Sequence, residues 1–200
     1  MTEAWENTAD VLITARELAR RCRELAHEIS RDLAGSERPP VLVGVLKGST
    51  LFLADLVRHF EIEVEVDFIS ISSYSQSGAG SGVVRIVKDL EGDIVGRDVV
   101  VVEDIVDTGL TLNYLRRTLG ERSPASLRAV TLLDKAARRI VPVELEYAGF
   151  EIPDVFVVGY GLDFQGRYRN APDILSVKDI AKLANDPLLL VDPLFREKSP

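Results

Sequence analysis

The sequence predicts an α/β protein built on a mainly parallel sheet with helices on its faces. Four consecutive valines, Val99–Val102, are apolar on both side-chain faces, which is typical of a strand buried in the middle of a parallel sheet. A polar turn, Asp107–Gly109, follows them and leads into a helix predicted over residues 112–119. The same order of strand, loop and helix occurs earlier, where the strand VLVGVL at 41–46 precedes a helix predicted over 51–60. Repeated units of this kind favour an α/β sheet.

An amphipathic helix is predicted ahead of this core, over residues 14–34. Thr14 and Glu17 have the spacing of a capping box, in which two side chains satisfy the free N–H groups at a helix start. Apolar residues recur after them at helical spacing: Leu18, Cys22, Leu25, Ile29 and Leu33. Because Cys22 belongs to this stripe, we expect a buried structural thiol rather than a nucleophile.

Further strands are predicted from alternating or continuous apolar runs. They cover residues 62–71, 83–88, 127–133, 143–147, 154–158 and 173–177. The first two flank a serine- and glycine-rich segment and are expected to form a hairpin or flap. We expect a single domain over residues 1–200, with a core at about 36–160, and we assign no chemistry to the tail after Lys178.

Composition excludes several classes of protein. The 200 residues carry a formal charge of −8 and contain no long lysine or arginine block, so binding to bulk nucleic acid or to a membrane surface is not expected. No apolar run approaches the roughly 18 residues that a membrane span requires. The N-terminal residues include Glu3, Glu6 and Asp10 and lack an apolar h-region, so no signal peptide is expected there. With one cysteine, no internal disulfide is possible, and we expect a cytoplasmic protein.

The stretch VVVVEDIVDTGLT at 99–111 predicts a site for an anion and a metal. Backbone N–H groups at a helix start favour negative charge, and the hydroxyls of Thr108 and Thr111 add donors. Gly109 allows the backbone to approach a ligand closely. Glu103 and Asp104 stand where the strand is expected to leave the core, and Mg²⁺ binds through such carboxylates together with substrate oxygens. The pattern indicates a phosphorylated, hydroxylated substrate that carries Mg²⁺.

Other loops carry candidate ligand-binding groups, each with a plainer alternative. Lys47-Gly48-Ser49-Thr50 suits a phosphate or pyrophosphate but is not a Walker A loop, and a simple turn with a solvated lysine is the alternative. Ser72–Gly82 is either a flexible loop or a lid over a substrate. Asp134-Lys135 ends a strand, where functional groups collect in open α/β sheets, although a solvated cap is also consistent. A glycine-punctuated aromatic loop covers 159–164, with Arg169 close behind it.

These segments together resemble a known family. The stretch 99–111 resembles the 5-phosphoribosyl-1-pyrophosphate (PRPP) motif of type I phosphoribosyltransferases. Lys135, Phe156-Val157 and the sequence Gly-Tyr-Gly-Leu-Asp at 159–163 narrow the resemblance to hypoxanthine-guanine phosphoribosyltransferases, over roughly residues 10–178. The resemblance implies a Rossmann-like, mainly parallel sheet flanked by helices, with a small hood formed by the chain ends. It also implies a homodimer or a homotetramer.

The implied reaction joins PRPP to hypoxanthine or guanine, giving IMP or GMP and pyrophosphate with Mg²⁺. By resemblance, Asp107 is the general acid/base. Two groups of residues have implied roles toward PRPP: the ribose, the 5′-phosphate and the metal are bound by Glu103, Asp104, Asp107, Thr108, Gly109, Leu110 and Thr111, and the pyrophosphate and its metal by Lys47, Gly48, Asp163 and Arg169. The purine is implied to contact Lys135, Phe156 and Val157, and Ser73 and Tyr74 are implied to close over the site.

Three departures from the family pattern and three alternatives accompany this interpretation, and the first departure is the predicted lid at 75–82, which is unusually rich in glycine and serine. Leu110 stands where some relatives carry lysine, and Phe164 replaces a frequent tyrosine. A xanthine-preferring enzyme would share the fold and mechanism. A regulator that binds RNA and uses nucleotides as effectors is disfavoured by the acidic charge, and a catalytically dead relative is disfavoured by the intact Glu103, Asp104, Asp107 and Asp163.

Overall fold

A computed structural model describes residues 8–74 and 83–195 of the chain. These residues fall into two compact units. The larger unit is Cys22–Pro153, and the smaller consists of the described residues of Met1–Arg21 and Asp154–Pro200. The boundary between the units falls within the first helix, α1 (Ala15–Asp32).

The larger unit contains a six-stranded sheet and two further helices. In chain order its elements are β2 (Val41–Leu46), α2 (Thr50–Val57), β3 (Glu65–Tyr74), β4 (Val83–Lys88), β5 (Asp98–Val106), α3 (Leu110–Gly120), β6 (Ser126–Asp134) and β7 (Tyr147–Glu151), with a 3₁₀ turn at Ala136–Arg138. The strand order is β4-β3-β2-β5-β6-β7. All pairs are parallel except β3 with β4, which form the expected antiparallel hairpin.

This topology locates the site before any side chain is considered. After β2 the chain crosses through α2 to β3 on one side, and after β5 it crosses through α3 to β6 on the other. The order of the strands therefore reverses between β2 and β5, and ligands of open α/β sheets bind at the carboxyl ends of the strands at such a point. The mainly parallel, helix-flanked sheet predicted from the sequence is confirmed.

The two crossover helices cover opposite faces of the sheet. Val99 and Val101 of β5 pack in one buried cluster with Val43 and with three leucines of α3: Leu112, Leu115 and Leu119. Gly44 points to the other face, because a Cβ built on it would lie 2.7 Å from Leu53 Cδ2 of α2. Since neighbouring side chains of a strand alternate between faces, the run of valines is buried on both sides.

The predicted capping box is present at the start of α1. The Thr14 backbone N–H donates to Glu17 Oε2 at 2.9 Å, and the Glu17 N–H donates to Thr14 Oγ1 at 3.3 Å. Hydrogen bonds from Thr14 lower the pKa of the Glu17 carboxyl. Cys22 is fully buried, which confirms the expected structural thiol.

Several predicted boundaries were wrong, and local hydrogen bonds explain them. The helix predicted over 51–60 ends at Val57, because tighter turns from His59 N to Leu56 O and from Phe60 N to Val57 O follow it. The strand predicted at 62–71 lies at Glu65–Tyr74.

The strand predicted at 143–147 begins only where that range ends, at Tyr147. Val143 and Leu145 are partly buried against the main core, so the alternation that suggested a strand does reflect packing. However, Glu146 accepts the Ala129 backbone N–H through its side chain at 2.7 Å and also pairs with Arg116 at 2.8 Å. Regular pairing of β6 with β7 starts only at Val130 and Tyr147.

The smaller unit is an antiparallel sheet with two short helices. The strands β1 (Ala9–Ile13), β8 (Phe156–Val158) and β9 (Ile174–Val177) pair in the order β1-β9-β8, followed by α4 (Ile180–Asn185) and α5 (Val191–Phe195). Leu183 and Leu190 are fully buried in one cluster with Val158 and Leu175. The tail after Lys178, to which no role was assigned, therefore supplies core side chains to this unit. No helix within the described ranges is long and apolar enough to cross a membrane.

Candidate active site

Strand β5 carries the acidic pair deeper into the protein than expected. The sequence placed Glu103 and Asp104 where the strand leaves the core, but β5 stays paired with β6 as far as Val106 opposite Asp134. Glu103 is therefore buried, with 4% of its surface exposed, whereas Asp104 is half-buried. As expected for adjacent strand residues, the two side chains diverge.

Glu103 lies in an environment that disfavours its own negative charge. Burial, followed by the nearby charge of Asp104, raises the pKa of the Glu103 carboxyl well above its ordinary value. Its Oε1 atom is buried and makes no hydrogen bond to any residue that the structure describes. An orphaned buried carboxylate oxygen is costly, so a cation or a hydroxyl donor from a ligand would stabilise it.

The Lys47–Gly48 loop lies directly against Asp104. A Cβ built on Gly48 would stand 1.6 Å from Asp104 Oδ2, so a side chain at this position would displace the Asp104 carboxylate. Lys47 is exposed just before it, and the peptide bond between Leu46 and Lys47 is cis. Two segments that the sequence predicted to bind phosphate groups are thus adjacent at the ends of β2 and β5.

The predicted phosphate loop ends on a glycine that begins α3. Gly109 has a φ of 84°, in the left-handed region, and provides no side-chain cap to the helix. The helix nevertheless begins in regular fashion, since Asn113 N donates to Gly109 O at 2.9 Å. Thr108 and Thr111 are half-buried at this end, and Leu110 is 44% exposed. Free N–H groups and hydroxyls at a helix start make an anion site.

A second segment, residues 135–141, braces this loop from behind. The Thr108 carbonyl accepts the N–H groups of Ile140 at 3.0 Å and Val141 at 3.1 Å. A Cβ built on Gly109 would lie 2.6 Å from the Val141 carbonyl oxygen. The close approach of this backbone explains, together with the positive φ, why glycine is needed there.

Asp107 stands between two cations that follow β6. Lys135 Nζ is 4.0 Å from Asp107 Oδ2, and Arg138 Nε is 3.5 Å from Asp107 Oδ1. Lys135 is 5% exposed, and its backbone N–H donates to Val106 O at 2.9 Å. The sequence predicted both Asp107 and Lys135 as site residues, and the structure brings them together. Arg138 was missed, although the Arg138-Arg139 pair, three and four residues after the lysine, offered a signal.

In the smaller unit, the aromatic loop is built from left-handed turns. Gly159 and Gly161 have φ values of 100° and 98°, and Tyr160 adopts 47°. Tyr160 N donates to Ala171 O and Gly161 N to Arg169 O, both at 2.8 Å, so backbone hydrogen bonds fix this loop.

Three predicted residues of the smaller unit contact one another or a neighbour. Asp163 Oδ1 is 2.6 Å from Arg169 Nη2, so the two residues expected at pyrophosphate form an ion pair. The rings of Phe156 and Phe164 meet edge to face, with centroids 5.9 Å apart. The phenylalanine that replaces tyrosine at 164 thus supports the ring expected to stack on the base. Val157 lies on β8, at the edge of its sheet.

Most of the predicted lid, Ser72–Gly82, lies outside the described residues, and only the backbone is described for Ser73 and Tyr74. Ser73 and Tyr74 end β3, opposite Val84 and Val83 of β4. The side chains of these residues and the segment 75–82 lie outside the described residues.

The donor set of the larger unit fits Mg²⁺ in the form that this ion usually takes. The described residues contain no group of three or more histidine, cysteine, aspartate or glutamate side chains that could hold a metal ion without other ligands. Mg²⁺ rarely uses such an all-protein cage; it binds through one or two carboxylates together with water and substrate oxygens. A single carboxylate with an unsatisfied oxygen, that of Glu103, meets that requirement.

Comparison with known proteins defines the class to which this fold and site belong. A family model described as the phosphoribosyl transferase domain matches residues 10–165. The chain therefore belongs to the phosphoribosyltransferase family.

Individual relatives show where this chain belongs within the phosphoribosyltransferase family. The hypoxanthine-guanine phosphoribosyltransferase of Bacillus subtilis is 44% identical over 164 residues, covering 82% of this chain and 90% of that protein. The hypoxanthine phosphoribosyltransferase of Escherichia coli is 47% identical over 169 residues, covering 84% and 95%. A crystal structure of the Staphylococcus aureus hypoxanthine phosphoribosyltransferase superposes with a TM-score of 0.81 at 41% identity, covering 89% of this chain and 96% of that one. Within its family, this chain groups with the hypoxanthine-guanine phosphoribosyltransferases.

Proposed function

We propose that this chain is a purine salvage enzyme that transfers the phosphoribosyl group of PRPP to hypoxanthine or guanine, releasing pyrophosphate, with Mg²⁺ as cofactor. The observation that carries the proposal is the approach of Lys135 Nζ to within 4.0 Å of Asp107 Oδ2. One group is a donor and the other an ionisable acceptor, and both stand beside a phosphate-binding loop.

This pair matches one edge of a 6-oxopurine. The O6 and N7 atoms of guanine and hypoxanthine are neighbours on the same edge, whereas adenine carries an amino donor in place of O6. We assign O6 to Lys135 and the N7 proton to Asp107. Because an ammonium that faces an amino group loses its acceptor while remaining buried, this contact rejects adenine.

Asp107 acts as the general acid/base of the reaction. The N9 atom of the purine attacks the anomeric carbon of the ribose while the bond to pyrophosphate breaks. As N9 bonds to the ribose, the proton on N7 becomes acidic, and Asp107 accepts it. In the reverse direction the protonated carboxyl returns it.

The residues around Asp107 hold the phosphoribosyl group. The backbone N–H groups and hydroxyls of Thr108–Thr111 bind the 5′-phosphate at the start of α3. Glu103 and Asp104 bind the ribose hydroxyls, directly or through the metal. Mg²⁺, when bound, neutralises the charge that develops on the leaving pyrophosphate.

The remaining roles rest on the resemblance. Lys47 and Gly48 bind pyrophosphate, as does Arg169, and Asp163 contributes to a second Mg²⁺ site. Phe156 stacks on the base, and the Val157 carbonyl faces the ring edge that bears the guanine amino group. Ser73 and Tyr74 close over the bound substrates and exclude water.

A panel of bases tests the substrate assignment. The enzyme is supplied with PRPP and Mg²⁺ together with hypoxanthine, guanine, xanthine, adenine or uracil, and nucleotide formation is followed. We expect turnover of the first two and little of adenine or uracil. A preference for xanthine would retain the mechanism and revise the base contacts. No turnover of any base would contradict the proposal and favour the nucleotide-sensing regulator, which a gel shift with RNA would then test.

The variant Asp107→Asn tests the base. Asparagine keeps the shape of the side chain but cannot accept a proton, so we expect kcat to fall by about 10²–10⁴-fold with substrate binding retained. Near-normal turnover would exclude Asp107 as the base.

We also propose that the protein is cytoplasmic and assembles as a homodimer or homotetramer. The absence of a membrane-spanning helix among residues 8–74 and 83–195 is consistent with the first point. Sedimentation at several protein concentrations measures the second, and a monomer at all of them would refute it.

A further inference from the structure

We propose that Arg138 is a positioning residue that fixes the orientation of the Asp107 carboxylate. The inference rests on the proposed function, in which Asp107 exchanges a proton with the purine. Arg138 is not among the site residues predicted from the sequence.

The geometry separates the two oxygens of the carboxylate. Arg138 Nε approaches Oδ1 at 3.5 Å, whereas Lys135 Nζ approaches Oδ2 at 4.0 Å. The Oδ1 atom is buried and has no hydrogen-bond partner in the described part of the chain, so the charge of the Arg138 guanidinium is what holds it in place. Oδ2 then remains for the purine proton, on the same side as the ammonium assigned to O6.

Arg138 is held by backbone hydrogen bonds to the loop that carries Asp107. It ends the 3₁₀ turn Ala136–Arg138, where its N–H donates to Lys135 O at 3.0 Å. Lys135 N donates to Val106 O before this turn, and Ile140 N donates to Thr108 O after it. The two residues that flank Asp107 in sequence thus anchor the two ends of the Arg138 segment.

A neighbouring arginine strengthens this anchorage. The Arg139 guanidinium forms an ion pair with Asp134, the last residue of β6. One arginine of the adjacent pair therefore ties the turn to the sheet, and the other reaches the candidate base.

Exposure argues against a purely structural role for Arg138. Half of its side chain is exposed, and its contact with Asp107 is with a side chain that is 36% exposed. Exposed ion pairs contribute little to folding stability, so the stability of the fold does not depend on this contact. A displaced general base, by contrast, loses rate steeply, because a misplacement of about 1 Å can cost about 10²-fold.

The test is a double-mutant cycle. Arg138→Ala and Arg138→Lys are made in the wild-type enzyme and in Asp107→Asn, and kcat and KM are measured for both substrates. Arg117→Ala is the matched control, because this exposed arginine lies in the last turn of α3, where it packs over Tyr114. Thermal unfolding is recorded for every variant.

We expect Arg138→Ala to lower kcat by about tenfold with KM for PRPP little changed. Arg138→Lys should recover part of the loss, since it restores a cation without the planar guanidinium. In the Asp107→Asn enzyme, Arg138→Ala should cause no further loss, because the carboxylate it positions is absent. Arg117→Ala should leave kcat unchanged.

Two results would overturn the inference. The same fold loss from Arg138→Ala in both backgrounds would show that the arginine acts independently of Asp107, and a raised KM for PRPP at unchanged kcat would make it a PRPP ligand. Failure of the proposed function is distinguishable from both, because it appears in the controls: either the wild-type enzyme turns over no purine, or Asp107→Asn retains near-normal turnover.

Discussion

The buried carboxylate of Glu103 is expected to lower the folding stability of the protein and to favour the binding of PRPP with Mg²⁺. Its Oε1 atom makes no hydrogen bond within the described part of the chain, and only 4% of the residue is exposed. The variant Glu103→Gln keeps the size of the side chain and removes the charge. We therefore expect it to stabilise the metal-free protein and to weaken the binding of PRPP with Mg²⁺.

The magnitude follows from the cost of leaving a buried polar group unsatisfied. Such a group costs about 1–3 kcal/mol, and more when it is charged. The amide still has polar atoms to satisfy, so a gain of about 1 kcal/mol at neutral pH is expected. For a chain of this length, that gain raises Tm by roughly 2–4 °C.

The sign of the pH dependence follows from the raised pKa of Glu103. Below the unfolded pKa, about 4.3, the carboxyl is protonated in both states and its environment carries no penalty. As the pH rises above that value, the unfolded chain ionises while the folded protein retains the proton. The folded state then binds more protons, so raising the pH destabilises it. The stability advantage of Glu103→Gln should therefore be absent in acid and grow towards neutral pH.

The assay is thermal unfolding of both proteins in EDTA across this pH range, repeated with Mg²⁺ and PRPP. Glu151→Gln, the same substitution at an exposed position that ends β7, is the control and should shift Tm little at any pH. A Glu103→Gln protein that is less stable than wild type at neutral pH without ligand would refute the reasoning. So would an equal stabilisation of both proteins by Mg²⁺ and PRPP.

Three further perturbations test separate parts of the structure. Gly48→Ala places a Cβ 1.6 Å from Asp104 Oδ2 and should raise KM for PRPP at least tenfold, an effect that unchanged kinetics would contradict. Lys135→Gln should lower kcat/KM for hypoxanthine and guanine by about 10²-fold while leaving the poor use of adenine unchanged, as the base panel measures; an unaltered ratio would remove Lys135 from the base contact. Thr14→Ala should cost about 1 kcal/mol of unfolding free energy through loss of the helix cap, and Thr14→Ser should retain most of it in denaturant titrations.

The central sheet was predictable because its signals are local and redundant. Four valines that are apolar on both faces require a layer on each side, and the helices on either side of the sheet supply them. The capping box of Thr14 and Glu17 was equally readable, since both members lie within one turn. The phosphate loop was predicted from its residue types, because a glycine directly before a helical pattern limits the backbone conformations that the loop can adopt.

Other features depend on contacts that are distant in sequence. The burial of Glu103 is set by the length of pairing between β5 and β6, which no local pattern encodes. The start of β7 is delayed because Glu146 uses its side chain to accept a backbone N–H of β6. Arg138 was missed because its partner lies 31 residues earlier in the chain, and only the parallel pairing of β5 with β6 brings the two loops together.

The carboxylates at the carboxyl edge of the larger unit divide into two environments, and the division argues for two different tasks. Within the described residues the Oε1 atom of Glu103 has no hydrogen-bond partner, and the neighbouring Asp104 disfavours its charge, so it gains most from a ligand that brings positive charge or hydroxyl donors. Asp107 is already flanked by the cations of Lys135 and Arg138, so it has less to gain from a metal. A proton carrier must keep its position while its charge changes, and this flanking supplies that support. These surroundings support the proposed division, in which the first carboxylate serves the metal-bearing PRPP and the second accepts the purine proton.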